Sequence, residues 1–316
     1  MRPLRLIPPD TNFRFIALRK RAYVVSVLLI LASVASLAVQ SLNFGIDFVG
    51  GTLIEVRTKG PADISAMRQT LTALDRGEVG LQEFGQPTDV LIRIQQQPGG
   101  DAAQQATVAA VKEALGDSVE EYRRVEVVGP KVGGELIEAG AISVALALLA
   151  IMAYIWFRFE WQFGVGAVLA LAHDVITTVG VFSLLQLEFN LSTVAAVLTI
   201  AGYSINDTVV VFDRVRENLR RYKTLPMTDL LNKSVNETLS RTVMTSATTL
   251  LALLSLFFLG GEVIRDFAFA MIWGVIIGTY SSVWIASATL LWMGVRPSAT
   301  DDLPDDAEVA RTLGDR

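Results

Sequence analysis

Six long apolar runs, set apart by polar stretches, dominate the pattern of the chain. They are Ala22–Gln40, Leu136–Phe157, Phe163–Leu185, Leu191–Phe212, Val243–Leu259 and Phe267–Met293. Each approaches or exceeds the roughly 20 residues that carry a helix across a ~30 Å hydrocarbon core. The interval 41–134 follows another rhythm. Thr52–Thr58 (TLIEVRT) alternates as a strand does, and Ile64, Met67, Leu71 and Leu74 fall at helical spacing within Asp63–Leu74. Leu81–Phe84 and Val90–Ile94 read as strands joined by a turn over Gly85–Asp89. Asp101–Leu115 reads as an alanine-rich helix, and Ser118–Val128 as a last strand. The order β-α-β-β-α-β is the split ferredoxin-like pattern. The expected fold is a polytopic α-helical membrane protein of six transmembrane helices. An extracytoplasmic α+β ferredoxin-like domain, residues 41–134, lies between the first and second helices.

Lys and Arg in short loops set the orientation. Arg2, Arg5, Arg14, Arg19, Lys20 and Arg21 precede the first run; Arg214, Arg216, Arg220, Arg221, Lys223 and Lys233 follow the fourth. Both segments, the arm 1–21 and the loop 213–242, are expected in the cytoplasm. An even number of spans then leaves both termini inside. The first run is long for a signal peptide and reads as an uncleaved anchor despite the weak Ser36-Leu37-Ala38 match. Met227–Ser240 is expected to be a short amphipathic helix lying at the cytoplasmic interface. The tail 296–316 is acidic (Asp301, Asp302, Asp305, Asp306, Glu308) and too polar to build a core, so disorder is expected there.

Composition agrees with membrane residence: 52% of the 316 residues are hydrophobic and mean hydropathy is +0.45. Cysteine is absent and histidine occurs once, which argues against zinc and iron–sulfur sites. Basic residues are not interleaved with aromatics, so nucleic-acid binding has no support. No GxxxxGK[ST] loop points to ATP. Gly202–Asn206 begins like a nucleophile elbow but lacks the last glycine. No cofactor and no enzymatic activity are expected.

The candidate chemistry lies in the membrane. Asp207 sits inside the fourth run, with Tyr203, Ser204 and Thr208 on or beside its stripe. A carboxylate there costs at least ~2.5–3.5 kcal/mol on insertion scales, so it marks an ion path or a paired, packed acid. Arg241 opens the fifth span and either reaches Asp207 or anchors the helix at the interface. His173 and Asp174 lie midway along the third span, as relay groups or as interhelical hydrogen-bonding groups with Thr177 and Thr178. Adjacent side chains there point about 100° apart and cannot share one ligand position. Gly274-xxx-Gly278 gives the last span a small face for packing, and Gly202 and Gly164-Val165-Gly166 can serve similarly. Asn43–Gly51 and Gly129–Gly134 are glycine-rich connectors and candidate hinges, at Gly45, Gly50, Gly51, Gly129 and Gly133; Gln95–Gly100 reads as a flexible connector within the domain.

The stretches NFGIDFVGGT (43–52), VGPKVG (128–133), FRFEW (157–161), AHDV (172–175), GYSINDTVVVFDRVREN (202–218), LSRTVMTSATTL (239–250) and GVIIGTYSS (274–282) together resemble the SecF family, membrane subunits of the bacterial SecD–SecF protein-export complex. The resemblance covers the chain from the first span to about residue 295. It implies one half of an RND-superfamily architecture, with SecD as the other half. It further implies the SecYEG translocon and unfolded preproteins as partners, with YajC as a further candidate. Use of the proton-motive force in preprotein export across the inner membrane is implied as well. The family's proton-path aspartate and arginine match Asp207 and Arg241. A proton-driven exporter of small molecules or lipids is the alternative, and a purely structural translocon subunit a third reading.

Overall fold

The computed structural model describes residues 11–77, 79–128, 130–260 and 264–295. The expectations for the acidic tail and for Gly129 lie outside them. Six helices are long and apolar enough to cross a membrane. Helix α1 is Arg19–Gln40. Between it and the second span lie β1 (Asn43–Phe44), α2 (Ile46–Val49), β2 (Gly51–Thr58), α3 (Ile64–Thr72), β3 (Val79–Phe84), β4 (Gln86–Ile94), α4 (Gly100–Leu115) and β5 (Val119–Val128). The rest is α5 (Pro130–Arg158), α6 (Trp161–Leu185), β6 (Glu188–Phe189), α7 (Leu191–Arg221), α8 (Met227–Leu259), α9 (Arg265–Ser281) and α10 (Ser287–Trp292).

The outer domain is ferredoxin-like. Its sheet has the order β3-β4-β2-β5, every pair antiparallel, with α3 and α4 packed on one face. Alternate residues of the strands fill the core: Ile54, Val56, Val90, Ile92 and Ile94 meet Met67, Leu71, Val111 and Leu115. Asp63 starts α3 by accepting a hydrogen bond from Ala66 N at 2.9 Å, which satisfies a free amide of the first turn. The turn expected over Gly85–Asp89 shrinks to Gly85 alone, at φ 74°. Strand β4 then runs through Pro87 and Asp89, because Asp89 is claimed by long-range partners. Arg57 on β2 donates to Asp89 from two nitrogens (2.8 and 3.1 Å), and Arg123 on β5 donates at 3.0 Å.

The connector 43–51 is a built structure. Strand β1 pairs in parallel with β6, the turn between α6 and α7. Gly45 N donates to Phe189 O at 2.9 Å, and Asn43 Nδ2 donates to Gln186 O at 3.0 Å. Asp47 Oδ2 accepts from Leu191 N at 2.9 Å, placing a carboxylate at the N-terminus of α7, where the helix dipole favours it. Gly51 has φ +124°, and a Cβ there would lie 2.6 Å from Ile94 O. A Cβ on Gly133 would lie 2.6 Å from Phe48 O, so the small residue lets α5 close on α2. Arg93 of β4 forms an ion pair with Glu188 of β6, tying the sheet to the bundle. Burial pushes the Glu188 carboxyl up and Arg93 pulls it down.

In the bundle, α1 docks on α6 through Ser33, which packs on Gly180, and through Ser36, whose Oγ lies 2.8 Å from Ser183 Oγ. The small face at Gly274 and Gly278 packs on Ile200 and Ser204 of α7. Phe163 and Phe212 meet edge to face with centroids 5.1 Å apart. Two expectations are corrected. The short interfacial helix Met227–Ser240 does not exist as a separate element. It is the first part of α8, which runs unbroken into the membrane, and α7 likewise continues nine residues past Phe212. No glycine or proline interrupts either helix there, and cross-links hold the two extensions together. Asn218 Nδ2 donates to Ser234 Oγ (2.9 Å) and Glu237 Oε2 (2.8 Å), and Arg214 pairs with Glu237 at 2.9 Å. The sixth span is not one regular helix: a π turn, Ser282–Ala286, separates α9 from α10.

Two outcomes are expected. Arg57 holds the Asp89 carboxyl below the usual carboxylate range, with Arg123 adding to it. Its contribution to stability is therefore full above the unfolded value of about 3.9 and is lost as pH falls through the lower folded value. Protection of β2 and β4 against hydrogen exchange, relative to the intrinsic rate at each pH, should hold steady from neutral pH to about 5 and fall below about pH 4, and Asp89→Asn should lower protection at neutral pH. For the docking seam, Arg93→Ala should increase exchange in 43–49 and 187–190 while β2 and β4 stay protected. Unchanged exchange at the seam would mean that Asp47 and the β1–β6 ladder hold the domain alone.

Candidate functional site

The polar groups of the membrane bundle gather around two acids, and the two have opposite surroundings. Asp174 lies on α6 and is fully buried. Its Oδ2 accepts from Ser204 Oγ of α7 at 2.5 Å and from Ser281 Oγ of α9 at 2.6 Å. Its Oδ1 lies 2.9 Å from His173 Nδ1. Thr178 and Thr177 donate back to the Asp174 carbonyl at 2.7 and 3.2 Å. Three helices therefore converge on one carboxylate. Although His173 and Asp174 are adjacent, they do meet: the ring nitrogen next to the β-carbon and the short carboxylate both reach sideways across the 100° between them.

His173 is 2% exposed, and its Nε2 has no hydrogen-bond partner. Its ring lies 6.0 Å from that of Tyr280 on α9. The Tyr280 hydroxyl donates to Ala22 O of α1 at 2.6 Å and lies 2.9 Å from Ser26 Oγ. No motif in the sequence singles out the α1 serines or Tyr280. Ser26, Ser33 and Ser36 recur at helical spacing in an otherwise apolar run, and that spacing is the signal that could have found them.

Asp207 lies on α7, one turn beyond Ser204, and is 4% exposed. It makes no hydrogen bond or ion pair among the described residues, and its buried Oδ2 has no partner. Arg241 on α8 is exposed, and it acts on Asp207 through space without touching it. Tyr203 and Thr208 beside Asp207, and Thr242 beside Arg241, also bury oxygens without partners. The structure thus brings Ser204 to Asp174, not to Asp207, and leaves Tyr203 in the unsatisfied group. The candidate hinge residues Gly45, Gly50, Gly51 and Gly133 are all buried at the seam under the outer domain. No cluster of His, Asp and Glu among the described residues could hold a metal ion.

The outward face of α7 is unusual for a helix in lipid. Ala195, Thr199, Gly202 and Asn206 are exposed at helical spacing, beside the buried Asp207. By contrast, α1 exposes a run of Val and Leu side chains (Val24, Val25, Val27, Leu28, Leu31, Val34) along its length.

Known proteins resemble this chain in sequence and in fold. Residues 107–296 match the family model of the protein export membrane protein SecD/SecF, C-terminal, and residues 35–62 match the SecD/SecF GG motif. The chain is 48% identical to the protein translocase subunit SecF of Rhodobacter capsulatus over 317 residues, covering 96% of this chain and 95% of that protein. It is 53% identical to SecF of Magnetococcus marinus, covering 90% and 92%. The crystal structure of SecDF from a Thermus species matches with a TM-score of 0.83 at 37% identity; 93% of this chain is covered, and it spans 40% of that SecDF chain. A super-membrane-facing form of SecDF matches at 0.67 and 34% identity, covering 99% and 41%. The chain belongs to the SecF family of protein translocase subunits.

Proposed function

We propose that this chain is the SecF half of a SecD–SecF complex that uses the proton-motive force to assist preprotein export across the inner membrane. The observation that carries the reading is Asp207, a buried carboxylate without a hydrogen-bond partner among the described residues. An unpaired carboxylate in a low-dielectric interior is strongly unfavourable, so a proton, water or another chain must complete its surroundings. Arg241 acts on it at a distance, which lets protonation of Asp207 change their attraction without breaking a tight pair. Each charge that crosses the field gains ~2.3 kcal/mol per 100 mV, enough to bias a two-state element about 50-fold.

The half-length match to SecDF and the exposed polar face of α7 support a SecD-type partner seated on Ala195, Thr199, Gly202 and Asn206. Small residues let helix backbones approach closely within a membrane, and an amide in hydrocarbon needs a partner. On this reading the outer domain faces the exterior and handles the emerging preprotein, with SecYEG as the channel and YajC as an accessory. Both termini lie in the cytoplasm, consistent with the basic extension of α7 beyond Phe212. The seam glycines are where the outer domain would pivot on the bundle.

Two measurements test the reading. In inverted vesicles supplied with ATP, Asp207→Asn should abolish the part of preprotein translocation that depends on the proton gradient and leave the ATP-driven part intact. Gradient stimulation that survives the substitution would make the acid structural. Gly202→Leu should release the SecD-type partner on purification while α7 stays folded, because a Cβ at Gly202 meets nothing within 4 Å in this chain. A partner retained at full yield would place the interface elsewhere.

A further inference from the structure

One buried titratable pair, His173 with Asp174, has no part in the role proposed for Asp207. Its geometry constrains its chemistry. Two lone pairs cannot face each other at 2.9 Å, so a proton lies between His173 Nδ1 and Asp174 Oδ1. With that proton on the ring, Nε2 carries a lone pair that none of the described residues uses. The remaining carboxylate oxygen is held by two hydroxyls, Ser204 and Ser281, that can only donate to it.

We infer that His173 and Asp174 form a second proton-binding site, filled at His173 Nε2, whose occupancy sets how tightly α7 and α9 are held to α6. In the empty state the ring is neutral, the carboxylate is ionised and the pair carries one negative charge. A proton binding to Nε2 gives an imidazolium beside the carboxylate. Transfer of the bridging proton to Asp174 Oδ1 gives a neutral ring and a neutral acid. In both forms one proton is gained, the net charge is zero and no other bond is formed or lost. Hydrogen bonds to an ionised acceptor are about twice as strong as neutral ones. Protonation that reaches Asp174 therefore weakens both serine contacts. Ser204 is one turn from Asp207, so the helix that bears the proposed coupling acid is released from α6 by the same event.

The groups facing the pair are few. On α7 it is Ser204, with Asp207 one turn on and making no hydrogen bond to the pair; on α9, Tyr280 and Ser281; on α1, Ser26, through the Tyr280 hydroxyl. Charged groups elsewhere on these elements sit toward the helix ends: Arg19, Lys20 and Arg21 on α1, Asp213 and Arg214 and the charges beyond them on α7, and Arg265 and Asp266 on α9. Apart from His173, no charged or titratable side chain accompanies Asp174 on α6. The inference draws its purpose from the proton-driven reading, while its chemistry stands on the geometry of the pair.

The chain holds a single histidine, so the site can be observed without assignment. The full-length chain, labelled with ¹⁵N-histidine and reconstituted in lipid bilayers, is titrated by solid-state NMR from about pH 8 to pH 5, the range in which imidazole changes charge. The ring nitrogens should pass between two states that differ by one proton. Asp174→Asn should remove this transition or displace it by more than tenfold in proton concentration, and Ser281→Ala should displace it while keeping the fold. A ring that keeps one protonation state across the range overturns the inference, as does a transition that Asp174→Asn and Ser281→Ala both leave in place. No transport is measured, so the outcome is independent of whether Asp207 couples to the gradient.

Discussion

A carboxylate placed in hydrocarbon must find donors, a counter-charge or a proton, and this requirement organises the bundle. The chain meets it in two ways. Asp174 is satisfied internally by a histidine and two serines from three helices, so α6, α7 and α9 are locked in register around it. Asp207, one turn from Ser204, is left open. The same helix therefore turns a closed polar face toward α6 and an incomplete one toward its other surroundings. A protein that needed acids only for packing would gain nothing from leaving the second one unsatisfied.

The outer domain is joined to this bundle by more than a tether. Strand β1, Asp47 and the Arg93–Glu188 pair all converge on the turn that starts α7. Glycines at 51 and 133 are required because backbone carbonyls occupy the space a Cβ would need, and at Gly45 the Glu188 side chain occupies it. The connector called a hinge from its composition is thus a docked segment in this conformation. A pivot there would have to break a two-residue ladder and release a helix N-terminus.

Much of this was legible in the sequence, and the gaps have physical causes. Apolar runs and strand alternation report burial against lipid or core, which are local signals, so the spans and the βαββαβ order could be read directly. Asp89 could not be, since a Pro-Thr-Asp stretch reads as a turn until Arg57 and Arg123 on two other strand segments are brought beside it. The α7–α8 hairpin was hidden because basic residues suggested a membrane boundary, and a helix that leaves the bilayer intact looks the same as one that stops. Ser204 was grouped with Asp207 on helical spacing. Residues three apart do share a face, yet spacing does not say which neighbouring helix that face meets, and here Ser204 turns to α6.

Helix α7 is the element through which the parts of the molecule can influence one another. Its first turn is capped by Asn190, which accepts from Thr193 N at 3.0 Å, and by the outer domain's Asp47. Its middle is held by Asp174 through Ser204 and carries Asp207 one turn later. Its far end is bound to α8 through Asn218 and Arg214, and α8 in turn carries Arg241. Energetic coupling between distant sites needs a connected element with two arrangements, biased by each site. A continuous helix of 31 residues supplies the connection. The second arrangement requires contacts whose strength changes with a ligand. The hydroxyl bonds to Asp174 and the through-space attraction of Arg241 for Asp207 both depend on whether a proton is present. The backbone ladder between β1 and β6 does not, so it transmits a shift of the helix without generating one. On the proposed function, the source of motion belongs at the membrane's middle, with the outer domain as its receiver.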